Sequence, residues 1–140
     1  MSRPAPTFAR FVPAEIARTL PDTARSMLAD VYLTDRPDAS CRVFRAYRGV
    51  PPHVHAGCDE YLYVLSGRGT FWMDDASTEA AFEPGHLLVF ERNVVHALPT
   101  ILEEPVAFLA IDAPRRAPTD IVFVDAADGT AADFMARNAD

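Results

Sequence analysis

Cysteine is nearly missing from this chain of 140 residues: Cys41 and Cys58 stand alone. Two cysteines make no disulfide framework, so a reduced, cytoplasmic setting is the expectation. Positive charge is also short, with 13 Lys and Arg against 20 Asp and Glu, a net charge of −7. That balance, with a pI near 5.0, argues against nucleic acid, which needs a basic footprint, and against docking to anionic lipid. The opening residues Met1 to Phe8 contain no apolar h-region, so no signal peptide is expected. No apolar run is long enough to span a bilayer. A nucleophile elbow of the GxSxG type and a glycine-rich phosphate loop are both missing, which leaves no nucleophilic triad to build on. Internal repeats, coiled-coil heptads and low-complexity tracts are absent as well.

What remains is the composition of one soluble domain: 49% hydrophobic residues and a mean hydropathy of −0.01. A chain of this length buries roughly two-thirds of its unfolded surface and needs no staples. Residues 1–29 hold four of the twelve prolines and a short helical candidate, Ala14 to Leu20, bracketed by Pro13 and Pro21. They read as an arm lying on the domain. From Val31 onward, short β-rich runs alternate with turn signals every 8–12 residues or so, an all-β pattern. Strands are expected near 31–35, 41–48, 53–56, 60–66, 69–74, 79–83, 87–91, 95–101, 106–112 and 120–124. The clearest hairpin turns are Gly67-Arg68-Gly69 and Asp74-Asp75-Ala76-Ser77. Thr130 to Asn138 suggests a closing helix, with Thr130 and Asp133 in capping-box spacing. The expected organisation is an arm (1–29), a barrel (30–128) and a C-terminal helix or tail (129–140).

Histidine occurs four times, and three of those residues fall into one constellation: His53, His55 and His96, with Glu60 between them. In a strand, His53 and His55 point to the same face. An isolated HxH pair is ordinarily two surface or packing histidines, so the surrounding residues decide. Gly49, His53, His55, Glu60 and Gly67 resemble the first motif of the cupin superfamily, G-x5-HxH-x3-4-E-x6-G. The one departure is Gly49, three residues ahead of His53 rather than five. Gly85 and His96 fall where the second motif, G-x5-PxG-x2-H-x3-N, requires them; Glu91, Asn93 and Thr100 replace its proline, inner glycine and asparagine. Asn93 is the mildest of these changes, because asparagine tolerates a positive φ. The motifs span about 48 residues and are separated by seventeen, Gly67 to Gly85, as in small bacterial cupins.

The resemblance implies an antiparallel double-stranded β-helix, or jelly-roll barrel. It also implies a ligand set of His53, His55, Glu60 and His96 for one divalent transition metal: iron, manganese, nickel, zinc or copper. A cupin that kept these residues as a polar binding floor is the alternative. Asp59 competes with Glu60, but neighbours in a strand face opposite ways and the motif spacing selects Glu60. Cys58 reads as a packing cysteine, Cys41 as structural and His86 as a surface histidine. The strand at 41–48 carries Arg42, Arg45 and Arg48, and whichever face turns inward takes at least one arginine with it. Arg45 and Tyr47, which share a face with Val43, are the substrate-binding candidates. The aromatics Tyr61, Tyr63, Phe71, Trp72, Phe82, Phe90 and Phe108 belong to the core or to a subunit interface.

The ligand set is similar to that of cupin dioxygenases, which makes dioxygenase-type chemistry on a small organic molecule the first expectation. Metal-dependent isomerases, epimerases, decarboxylases and lyases share the build, and a non-enzymatic binding cupin is the third possibility. Fold alone does not choose among them. A homodimer is expected, with the arm or an edge strand packed on the partner.

Overall fold

Alternating β-rich runs dominate the chain, and the computed structural model, described over residues 8–131, arranges them as eight antiparallel strands. They are β1 Leu28–Arg36, β2 Ala39–Ala46, β3 Val50–Val54, β4 Asp59–Met73, β5 Ala80–Phe82, β6 Leu87–Phe90, β7 His96–Ala113 and β8 Val122–Phe123. An α-helix, α1, covers Pro13–Ala17, shorter than the Ala14–Leu20 expectation because residues 18–20 close it with turn-type hydrogen bonds. The closing helix expected at 130–138 falls, beyond Ala131, outside the described residues. No helix among the described residues is long and apolar enough to cross a membrane.

Two strands expected as pairs are continuous. Runs 60–66 and 69–74 form β4, and runs 95–101 and 106–112 form β7. Gly67-Arg68-Gly69 is therefore a bend within one strand and not a hairpin turn. The β4–β7 register shifts three times between Val64 and Gly69, the mark of bulges that turn a strand. Gly67 has φ of 80°, and a Cβ there would sit 2.4 Å from the Pro105 carbonyl oxygen, so only glycine lets the backbones approach. Asp74 does turn the chain, with φ of 76°.

The bend divides the strands between two sheets. In the first, β1, β2, the C-terminal half of β7, the N-terminal half of β4, and β6 lie side by side. In the second, β5, the other half of β4, the other half of β7, β3 and β8 do so. This is the double-stranded β-helix, with the sheet left open rather than closed into a full barrel. Phe44, Leu62, Val64, Phe82, Leu88, Phe90, Val106 and Phe108 fill the space between the sheets.

The outer face of the first sheet is also apolar. Val31, Val43, Leu109, Tyr63 and Leu87 stand in one cross-strand row, and Cys41, Ile111, Tyr61 and Val89 in the next. Tyr61, Tyr63, Leu87, Val89 and Ile111 are exposed.

Candidate metal centre

His53 lies on β3, His55 just past its end, Glu60 at the start of β4 and His96 at the start of β7. All four are buried, Glu60 to 4% exposure. One nitrogen from each histidine falls within 4.8 Å of the others. The Glu60 carboxylate stands 3.6 Å from His55 Nε2 and 3.4 Å from His96 Nε2. The strands thus bring the four residues together.

Each ring is turned by its other nitrogen. Nδ1 of His53 lies 2.7 Å from the Pro51 carbonyl, Nδ1 of His55 2.6 Å from the Asp120 carbonyl, and Nδ1 of His96 3.1 Å from the Val94 carbonyl. A carbonyl oxygen only accepts, so each Nδ1 carries the proton. In the neutral rings this leaves the three Nε2 lone pairs free, an outer-shell arrangement typical of ligating histidines. His96 Nε2 is buried with no hydrogen-bond partner, and the Phe90 ring stacks on His96 at 4.2 Å between centroids. Converging imidazole nitrogens, one of them buried and unsatisfied, beside a carboxylate are the donor set a borderline divalent ion takes.

The electrostatics agree. Burial, with His96 and His55 nearby, holds His53 well below its ordinary pKa of 6.5. Burial would also lower His55, but the Glu60 carboxylate outweighs it and the net shift is upward. Burial alone would raise Glu60; His55 and His96 overcome it and hold the carboxyl well below the usual range.

The loop that delivers His96 takes the conformation its sequence suggests. Asn93 has φ of 64°, the left-handed region, and its N–H donates to the His55 carbonyl at 2.8 Å. The second motif's departure from glycine therefore still ties one ligand segment to the other.

Other expectations sort by face. Asp59 points away from the centre and binds Arg92 through both oxygens. His86 is at the surface beside Glu83. Cys58 is buried, and burial with the nearby Asp112 and Glu60 pushes its thiol up to about 12, which leaves no thiolate to react.

The structure does not bring Arg45 and Tyr47 to the site. Arg45 donates to the Asp22 carbonyl, and the Tyr47 hydroxyl donates to the Pro21 carbonyl. Both fasten the segment after α1 to β2. The inward face of β2 carries Arg42 and Phe44 instead. Arg42 is buried against Asp30 at 3.2 Å, Glu60 at 3.5 Å and Asp112 at 3.7 Å. Burial would lower its pKa, but the surrounding carboxylates raise it.

Sequence reasoning missed three further residues. Asp112 is fully buried opposite Glu60 in the β4–β7 register; burial and repulsion from Glu60 push it up to about 6. Arg116 follows β7 and approaches Asp112 at 3.5 Å. Asp120 accepts from the Ala56 and Gly57 N–H groups at 2.7 and 2.8 Å while its carbonyl holds His55. The cavity beside the histidines, about 30 Å³, is lined by Arg42, Arg116, the four candidate ligands and apolar Leu28, Phe44, Val50, Leu62, Leu98 and Ile121.

Known proteins bear on this geometry. The cupin-domain family model matches residues 46–112, a span that holds all four candidate ligands. Residues 46–112 therefore carry a cupin domain, in a chain with the cupin fold. Among solved structures it is similar to KdgF from Halomonas sp., at 21% identity over 64% of this chain and 81% of that one, TM-score 0.58. It is similar to a double-stranded β-helix protein from Klebsiella pneumoniae, at 17% identity over 78% and 92%, TM-score 0.62. It is also similar to the nucleoside dehydratase Pac13 of Streptomyces, at 18% identity over 73% and 82%, TM-score 0.59. At these identities the likeness speaks for the fold. No curated protein matches the chain at a significant level.

Proposed function

We propose that the chain is a mononuclear metal-dependent enzyme acting on a small organic molecule, with His53, His55, Glu60 and His96 as ligands. The observation that carries this reading is the set of three Nδ1–H groups fixed by backbone carbonyls, with Nε2 atoms left to converge beside a buried carboxylate. A divalent ion there supplies Lewis acidity, and a redox-active one supplies electrons as well.

Dioxygenase-type chemistry is the preferred reaction class. Among the described residues lining the cavity, every histidine and carboxylate is already a candidate ligand; the rest are two arginines and apolar side chains. A wall without a spare acid or base suits a reaction whose electrons and protons do not pass through the side chains. The chain's own part is to exclude water with Leu28, Phe44, Leu98 and Ile121 and to orient a polar substrate through Arg42 and Arg116. A non-oxidative reaction is the second reading, supported by the likeness to a nucleoside dehydratase.

The test is elemental analysis of untagged protein, then a screen of small organic molecules for oxygen uptake. Iron with substrate-linked uptake supports the dioxygenase; zinc or nickel with turnover and no uptake moves the assignment to isomerase or lyase chemistry. In the same reading His55→Ala abolishes metal loading while the fold persists, judged by circular dichroism. A parent that binds no divalent ion at all would overturn it.

The reading includes a homodimer formed through the apolar outer rows of the first sheet rather than through the arm. Tyr61, Tyr63, Leu87, Val89 and Ile111 there form an uncharged patch, which an isologous pair covers with the same residues from both copies.

A further inference from the structure

Arg116 is 4% exposed and lines the cavity beside the histidines. Its Nε lies 3.5 Å from Asp112 without making a hydrogen bond. Among the described residues, its two terminal nitrogens have no hydrogen-bond or ion-pair partner. A guanidinium whose Nε is buried without a hydrogen-bond partner is costly unless something else completes the group.

Charge counting gives the sign of the missing group. Arg42 and Arg116 are offset by Glu60 and Asp112, all four buried. Asp30, a third exposed, adds one more carboxylate on Arg42. A divalent ion on neutral histidines then adds two positive charges, of which Asp30 offsets one at most. One positive charge is left over in a cavity that Arg116 lines. Apart from Arg42, Arg116 and the four candidate ligands, the lining side chains are aliphatic and aromatic.

We infer that this cavity takes a small organic acid, its carboxylate received by the Arg116 fork and its apolar body lying against Leu98 and Ile121. The inference rests on the metal reading above and names the substrate class for that site. A planar carboxylate matches a guanidinium fork with two parallel hydrogen bonds, and a monoanion closes the count.

The experiment compares isobutyrate with isobutyramide, which share shape and differ in charge, on zinc-loaded and metal-free protein by NMR titration. The parent and the variants Arg116→Met and Arg116→Lys are used. Zinc loading is measured separately by elemental analysis. The expected result is acid over amide by about tenfold in the zinc-loaded parent, the size of a charge-assisted hydrogen bond. Arg116→Met loses the preference, and Arg116→Lys, a charge without the fork, restores part of it. Equal binding of acid and amide by the parent overturns the anion class, whether or not the variants fold. A preference that survives in Arg116→Met comes from the ion alone and overturns the role of Arg116. An Arg116-dependent preference in protein that takes up no zinc supports the acid subsite while rejecting the metal reading.

Discussion

Replacing Asp120 tests whether the site is held by its surroundings as well as by its ligands. Three contacts meet at this residue: its carboxylate accepts from Ala56 N–H at 2.7 Å and Gly57 N–H at 2.8 Å, and its carbonyl receives His55 Nδ1 at 2.6 Å. Asp120→Ala keeps the carbonyl in the chain but frees the turn that follows His55. Each lost bond has an ionised acceptor, for which about 1.5–3 kcal/mol is usual when shielded. These two lie at the surface, so about 1–2 kcal/mol in total is the better figure. Spread over His55 orientation, that predicts metal affinity weaker by roughly 5- to 30-fold, within the range seen when partners behind metal ligands are removed. Asp120→Asn retains one acceptor oxygen and falls between. Competition against a zinc chelator measures the affinity, and thermal unfolding runs in parallel. A global loss of about 1–2 kcal/mol lowers the midpoint by only a few degrees at this chain length, so affinity should change while the fold stays intact. If Asp120→Ala binds zinc as tightly as the parent, His55 is held by packing alone and the clamp is incidental.

Asn93→Gly should leave zinc affinity nearly unchanged, because both residues accept the φ of 64°; Asn93→Val should weaken it by several-fold, as a β-branched residue there costs about 1–3 kcal/mol. Equal affinity in both variants would show that the loop does not govern His96. Metal loading should fall with acidity, since a proton on His55 competes for Nε2 and Glu60 raises that proton's affinity above the ordinary 6.5. Loading is therefore complete well above the raised value and is lost as pH drops through it, and a chelator-competition series from about pH 8 to about pH 5.5 that stays flat would contradict the assignment. Tyr63→Glu places a charge in the middle of the outer apolar row and should convert a dimer to a monomer of 15.4 kDa by light scattering; a parent that is already monomeric at micromolar concentration removes the interface.

The meeting of His53, His55, Glu60 and His96 was legible because strand alternation and fixed motif spacing carry these candidate ligands to one place. Asn93 was legible for a similar local reason, a backbone angle that few residues accept. Arg42 was harder. Both faces of β2 are covered, with Val43 as buried as Phe44, so hydrophobic alternation gave no inward side, and Arg45 with Tyr47 looked as eligible as Arg42. The signal that existed was the charge of Glu60 and Asp112, which arrive from other strands. Arg116 and Asp120 sit in the irregular segment after β7, where no period links a residue to a direction. The unbroken β4 and β7 were misread for another reason: glycine marks both turns and bends, and only the partner strand, which bends at the same place, tells them apart.

The bend at Gly67 has one more consequence. Glu60 belongs to the first sheet, whereas His53 and His96 belong to the second, and the sheet is open rather than closed on itself. An ion gripping all of them would act as a rivet between two plates that the chain hinges but does not weld. Spreading the plates by an ångström or two would break such a joint long before the aromatic filling between them came apart. Heat or mechanical load should therefore release the ion first, and its escape would be the earliest sign of wear in the molecule.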